Sequence, residues 1–301
     1  MAYAFVVSSN ERYLECLNVF LNSLESVGNR NDVHIVSWDL PKEYLEKLPE
    51  LSFKTIIYEV SDDPKMQEIG EGEVLMRYRY ELASKLNYDS VCVMDADSLV
   101  ARNLDIWFEI TANTDVIIGC GLEQKRWYGD PEEHHKVNGK HFIKPIWNDK
   151  DICCSPLFFN PKKFGDAMHF SWSIIADYDF EHRFKGPDMD GLAMAILKFG
   201  YKDRVIALAE ATWSGLHETL LKPFSHISEN HEMLWTINGE EIWVIHGQFL
   251  NEIWLGWQRD GQEGCIDREL DGSPRCKQIA EQCLGYLVGH FEKMSKYKIK
   301  V

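Results

Sequence analysis

Short apolar runs and three-to-four-residue spacings take turns along the first part of the chain. Ala4, Phe5, Val6 and Val7 form a continuous apolar run that ends in the small polar residues Ser8, Ser9 and Asn10. Tyr13, Leu14, Leu17, Phe20, Leu21 and Leu24 follow at helical steps and predict an amphipathic helix ending near Gly28. Residues 33–37 read as a second strand, residues 40–48 as a short helix opened by Leu40 and Pro41, and residues 53–60 as a third strand. Strand, helix, strand, helix, strand is the pattern of a doubly wound α/β sheet. Ligands of such sheets bind at the carboxyl ends of the strands, where Ser8, Ser9 and Asn10 are expected.

A helix is predicted over residues 74–86, carrying Arg77 and Arg79 near its start. Ser90, Val91, Cys92, Val93 and Met94 then run straight into Asp95, Ala96 and Asp97, after which Leu99 and Val100 resume the apolar character. A continuous apolar run with polar ends suits a strand covered on both faces. Side chains two apart in an extended chain share a face, so Asp95 and Asp97 can reach toward one ion. An Asp-x-Asp triplet is also an ordinary strand-to-loop turn, so its context has to decide.

Downstream, residues 104–108 read as a short helix and residues 116–120 as a strand. The polar and aromatic stretch 121–150 shows no period and reads as a long active-site excursion. Residues 157–160 form a strand, Pro161 starts a turn or helix, and residues 171–178 are expected to be helical. Asp188, Met189 and Asp190 lead into a buried helix ending at Gly200, residues 205–208 are a strand, and residues 241–247 are a last strand with His246 at its carboxyl end. The remaining chain is read as a helical C-terminal cap.

Composition narrows the function. With 48 acidic and 32 basic residues the net charge is −16, which disfavours a broad nucleic-acid surface. A local basic pocket stays open, and an acidic protein that takes a phosphorylated substrate is expected to recruit a cation to help hold it. No apolar stretch is long enough to span a bilayer, and residues 1–7 lack the basic region of a signal peptide. A cytoplasmic location is expected, with the eight cysteines reduced. Cys265, Cys276, Cys283 and His290 match no compact zinc spacing. Lys293, Lys296, Lys298 and Lys300 form a basic tail that either stays solvated or touches an acidic membrane surface. Trp127, Tyr128, Trp147, Trp213, Trp254 and Trp257 fall in or near expected loops, where flat rings either pack or stack on sugars.

The ordered set of motifs resembles glycosyltransferases of the GT-A fold, and most closely the family 8 (glycogenin and galactosyltransferase-like) group. The resemblance rests on Arg79 before the strand, on Asp95-Ala96-Asp97 at its end, on Leu157-Phe158-Phe159-Asn160-Pro161, on Asp188-Met189-Asp190, and on Ile245-His246-Gly247. It spans roughly residues 3–250. It implies one GT-A domain over residues 1–301 with a Rossmann-like mixed sheet flanked by helices. The nucleotide-sugar half would occupy about 1–120, the acceptor half about 121–250 and the cap about 251–301.

The resemblance also implies a function: transfer of a hexosyl group from a nucleotide-diphosphate sugar, usually a UDP-sugar, to an acceptor hydroxyl with retention, using Mn2+ or Mg2+. The acceptor, whether glycan, lipid, protein or modified base, stays open. Asp95, Asp97 and His246 would be the metal ligands. Two carboxylates and an imidazole suit such an ion and leave positions for diphosphate oxygens. Ser8, Ser9, Asn10, Arg77, Arg79, Asp95 and Ala96 would contact the substrate, while Asp188 and Asp190 would serve the reacting sugar. Two positions depart from the family pattern. Met189 stands where the family has glutamine, and the lysine that commonly follows the histidine has no match in Gln248, Phe249, Leu250 or Asn251. A nucleotide-sugar-binding module without turnover and a sugar nucleotidyltransferase are the alternatives. The latter usually carries a Gly-rich phosphate loop after the first strand, which Ser8, Ser9 and Asn10 do not form.

Overall fold

The computed structural model describes residues 1–46, 48, 51–122, 135–137, 140–142, 151–176, 188–208, 226–227, 234–235 and 242–246. β1 (Tyr3–Asn10), β2 (Asp32–Trp38), β3 (Thr55–Glu59) and β4 (Ser90–Val93) run parallel, with β1 between β2 and β4. Between β1 and β2 lies α1 (Leu14–Ser26), entered through a 3-10 turn at Glu11–Tyr13. Next come α2 (Lys42–Leu45), α3 (Pro64–Ile69) and α4 (Glu71–Lys85), the last of which leads into β4. The expected helix 40–48 is thus only four residues long. The strand expected over 53–60 is shorter by three residues. The structure adds α3, whose start is set by the Asp63 carboxylate accepting from the Lys65 N–H at 2.8 Å and by Pro64 in the first turn.

Beyond the Asp-x-Asp stretch, β5 (Ser98–Val100) leaves the main sheet, so the apolar run resumes as a separate strand and not as a continuation. α5 (Asp105–Asn113) and β6 (Ile117–Leu122) follow. The excursion is not wholly without structure: its first two residues belong to β6, and β7 (His135–Val137) and β8 (Lys140–Phe142) pair as an antiparallel ribbon; its other residues lie outside the described set. β9 (Asp151–Phe159) runs antiparallel between β4 and β6. A single helix, α6 (Pro161–Ala176), replaces the two pieces expected there. α7 (Asp188–Lys198) and β10 (Val205–Leu208) complete the layer, and β10 lies parallel to β6. β11 (His226–Ile227) pairs with β12 (Leu234–Trp235), and β13 (Val244–His246) pairs with β5. The expected C-terminal cap and lysine tail, the four-residue Cys265–His290 set and the six loop aromatics lie outside the described residues. Cys16, Cys92 and Cys120 are buried. Among the described residues no helix is long and apolar enough to cross a membrane.

The main sheet has the order β10-β6-β9-β4-β1-β2-β3, a mixed sheet with helices on both faces. Its central strands are apolar on both sides because both sides are covered. Ala4, Val6, Val91 and Val93 pack with Tyr80 of α4, Phe164 of α6 and Leu192 of α7. Phe5, Val7 and Cys92 face the other way, onto Phe20 and Leu24 of α1 and Phe108 of α5. The chain steps from β1 outward to β3 and then returns to β4 on the other side of β1. That reversal opens a crevice at the carboxyl ends of β1 and β4. Phe108 anchors the second core: its fully buried ring lies 5.0 Å from Phe5 and 5.2 Å from Phe158, centroid to centroid. Phe108→Ala is expected to remove about 3–5 kcal/mol of stability in urea unfolding. A loss below about 1 kcal/mol would mean that the cavity refills and that this ring is not an anchor.

Candidate active site

β4 continues one residue past its last ladder partner, where the Met94 N–H donates to the Val6 carbonyl at 3.0 Å. The Asp95 N–H then donates to the buried Ser155 hydroxyl at 2.9 Å, which ties the turn to β9. The chain bends through Ala96 and Asp97 into β5. Pairing of β5 with β13 puts His246 opposite Ser98, so a histidine 149 residues away lands beside Asp97. Its Nε2 lies 3.1 Å from Asp97 Oδ1 and 3.2 Å from Asp95 Oδ2. One donor atom from each of Asp95, Asp97 and His246 falls within 4.8 Å of the others, an arrangement that can hold a metal ion.

Arg79 organises the carboxylates from below. Its buried guanidinium contacts Asp95 Oδ1 through Nη1, which also donates to the Met94 carbonyl at 3.1 Å. Nη2 donates to Asp188 Oδ2 at 3.1 Å. One planar fork therefore joins the strand-end carboxylate to the first residue of α7. Burial alone would raise the Asp95 pKa, but the Arg79 guanidinium and the His246 imidazole outweigh it and hold the carboxyl below its usual range. Burial likewise opposes charging of His246, yet Asp97 and Asp95 raise its pKa to about 9. At neutral pH the imidazole is therefore protonated in the metal-free protein. The proton supplies the positive charge that the two carboxylates need.

Arg77 behaves differently. Its guanidinium is fully buried, with Nε 3.1 Å from Glu73 Oε2. It lies under the first turn of α7, where a Cβ on Gly191 would come within 3.3 Å of Arg77 Nη1. Glycine allows this close helix approach. The expected substrate contact of Arg77 is thus replaced by a supporting position beneath α7. Asp188 Oδ1 accepts from the Met189 N–H at 3.0 Å, and Met189 packs against both apolar cores. Asp190 belongs to the same helical turn, but its side chain lies outside the described residues.

Above the carboxylates is a cleft of about 810 Å³. Ser8, Ser9 and Asn10 line it together with Asp95, Ala96, Asp97 and His246. Their side chains are already engaged: Ser8 Oγ donates to the Leu75 carbonyl at 2.5 Å, and Asn10 both donates to Glu71 at 2.6 Å and caps Tyr13 N–H at 3.0 Å. Sequence reasoning missed Tyr13, Trp38, Asp39 and Glu71, which line the same cleft. Trp38 and Asp39 end β2, so the carboxyl-edge rule that selected Ser8 to Asn10 would have found them on the neighbouring strand. The cleft is strongly acidic. Glu11, Asp39, Glu71, Asp95 and Asp97 outnumber the single arginine among its lining residues, Arg12.

Comparison with protein-family models and with curated protein sequences finds no match. Comparison with solved structures finds the GT-A glycosyltransferase fold. The galactosyltransferase LgtC, solved in complex with donor and acceptor sugar analogs, is 15% identical with a TM-score of 0.54, over 93% of this chain and 95% of that one. The bifunctional glycosyltransferase WbbM is 12% identical with a TM-score of 0.56, over 93% of this chain but 51% of that one. The glycosyltransferase GlyE of Streptococcus pneumoniae TIGR4 is 14% identical with a TM-score of 0.49, over 82% of this chain and 55% of that one. This chain therefore spans about half the length of the last two. At these identities the likeness defines a mixed α/β fold of the GT-A type.

The charge state of His246 has a measurable consequence. A histidine whose folded pKa is raised stabilises the fold fully below its unfolded value near 6.5, and the contribution is lost as pH rises through about 9. In chelator-treated protein, the stability gap between wild type and His246→Gln is expected to shrink between pH 6.5 and 9.5 in urea unfolding. A gap that does not change with pH would show that the imidazole is not charged between the two aspartates.

Proposed function

We propose that this protein is a divalent-metal-dependent glycosyltransferase that moves a hexosyl group from a UDP-sugar to an acceptor hydroxyl. The observation that carries the proposal is the meeting of Asp95, Asp97 and His246 at the crevice of a GT-A type sheet, beside a cleft deep enough for a nucleotide. Acidity supports the same reading. A diphosphate would be repelled by this cleft unless a cation stood between its oxygens and the carboxylates. The donor set, two hard carboxylate oxygens and an imidazole, fits Mn2+ or Mg2+. When bound, such an ion would neutralise charge developing on the departing diphosphate.

The remaining steps belong to the protein's own side chains. Arg79 keeps Asp95 ionised and aimed, and through Asp188 it sets the position of the α7 N-terminus relative to the metal ligands. Asp188, with Asp190 two residues later, would accept hydrogen bonds from sugar hydroxyls and offset positive charge at the anomeric carbon. Ser8, Ser9, Asn10 and Ala96 would form the nucleotide wall by shape and backbone, since the described side chains of Ser8 and Asn10 already hold protein partners. Tyr13 and Trp38 would offer flat faces to a base. Retention and a cytoplasmic location belong to the same proposal. The first rests on the family 8 resemblance, and the second on the expectation, from the sequence, that the cysteines are reduced.

Incubation with a panel of UDP-sugars and sugar acceptors should release UDP only when Mn2+ or Mg2+ is present. Asp95→Ala and Asp97→Ala should abolish release, and proton NMR of the product should show the donor's anomeric configuration. Full activity in either variant, or in chelator, would sink the metal assignment. Tight UDP-sugar binding with no turnover over the whole panel would replace transfer by a binding role.

A further inference from the structure

We infer that Asp39 is the residue that recognises the ribose of the nucleotide, through a hydrogen bond from a ribose hydroxyl to its carboxylate. This rests on the nucleotide-sugar reading above and adds a second contact point to it. Among the five carboxylates lining the cleft, Asp95 and Asp97 belong to the histidine cluster, and Glu71 is held by Asn10 Nδ2 at 2.6 Å. Glu11 is exposed within the turn that begins α1's approach. Asp39 alone among them is an acid held in place by its backbone and yet open to the cleft.

Its backbone is the first sign. Asp39 has φ 53°, the only non-glycine residue with positive φ among the described residues. For an L-residue that conformation is unfavourable unless the surroundings enforce it. Here hydrogen bonds to the Glu59 carboxylate enforce it. Glu59 Oε1 accepts the Asp39, Val60 and Ser61 N–H groups at 3.3, 3.1 and 3.0 Å, while Oε2 accepts from Ser37 Oγ at 2.5 Å. Ser61 Oγ then donates to Asp39 Oδ1 at 2.7 Å and fixes the carboxylate. Asp39 Oδ2 has no hydrogen bond within the described residues, so a hydroxyl donor from a ligand would complete the group.

Its place in the sheet is the second sign. Asp39 directly follows β2, whose Trp38 is in register with Asn10 of β1, while Asp95 follows β4 on the opposite side of β1. Two interstrand spacings, about 10 Å, therefore separate the two acids laterally. A nucleoside diphosphate spans such a gap with its phosphates at the Asp95 end and its ribose at the Asp39 end. A carboxylate at the end of the second strand is also the group that doubly wound nucleotide-binding sheets use for ribose hydroxyls.

Asp39→Gly tests this cleanly, because glycine accepts positive φ without strain while the carboxylate is lost. Binding is measured by calorimetry with Mn2+ for UDP, 2′-deoxy-UDP, 3′-deoxy-UDP, CDP and inorganic pyrophosphate, and thermal unfolding with Mn2+ alone checks the fold. Wild type should bind UDP about tenfold or more above at least one deoxy analogue, as expected for a hydrogen bond to a charged acceptor. Asp39→Gly should erase that preference and leave pyrophosphate affinity unchanged. UDP binding that does not distinguish deoxy analogues, or a preference that survives in Asp39→Gly, overturns the ribose role alone. A variant that changes the UDP-to-CDP ratio but not the deoxy discrimination overturns it in favour of base recognition. Failure of wild type to bind UDP at all overturns this inference and the nucleotide-sugar reading together.

Discussion

The arrangement of the site depends on one buried guanidinium. Arg79 has almost no contact with solvent, and it lies between a strand-end carboxylate and the first carboxylate of α7. A charge in that position is costly unless it is paired, and Asp95, Asp188 and the Met94 carbonyl engage its two Nη groups. The pairing also fixes geometry, because a planar fork cannot satisfy two carboxylates unless both stand in its plane. The position of α7 relative to β4 is therefore coupled to the ionisation of Asp95. Arg77 and Gly191 extend that coupling: the absent glycine side chain lets α7 settle against a second buried guanidinium of α4.

Above this scaffold the cleft concentrates negative charge, and the same physics explains both states of the site. Without an ion, His246 takes up a proton and sits between Asp95 and Asp97 as a cation. Under the proposed function, a divalent ion would offer the same two carboxylates more charge and would free the imidazole to act as a ligand, at the expense of the proton. A diphosphate would then enter the acidic cleft together with that cation. Side chains that the sequence suggested as substrate contacts turn out to be occupied in shaping the wall. Ser8 secures α4 through Leu75, and Asn10 caps the turn into α1.

Much of the fold was legible from local pattern. The apolar runs of β1, β2 and β4 and the helical spacings of α1, α4 and α7 stand where periodicity put them. Errors came where competing local signals were weak or unread. Asp63-Pro64, an N-cap followed by a first-turn proline, announced α3 but was passed over. α2 has only four residues, with Tyr44 buried and Leu45 packed on the second core, while Leu40 and Leu48 reach that core from outside the helix. The apolar run predicts four residues, 157–160, where β9 runs for nine, since its first half pairs only with β6 and carries little apolar signal.

By itself the sequence determined where most of the strands and helices of the first sheet half lie, that a strand ends in two carboxylates able to share a face, and that the acidic balance disfavours a broad phosphate-binding surface. Those are properties of neighbouring residues, written in periods of two and 3.6. Tertiary structure decided who meets whom: His246 reaches Asp97 across 149 residues, Asp188 reaches Arg79 across 109, and Ser155 reaches Asp95 across 60. It also turned Arg77 inward and brought Asp39 to the cleft. Pairing of β5 with β13 and the insertion of β9 between β4 and β6 set those meetings, and strand partnership across such separations leaves no local period to read.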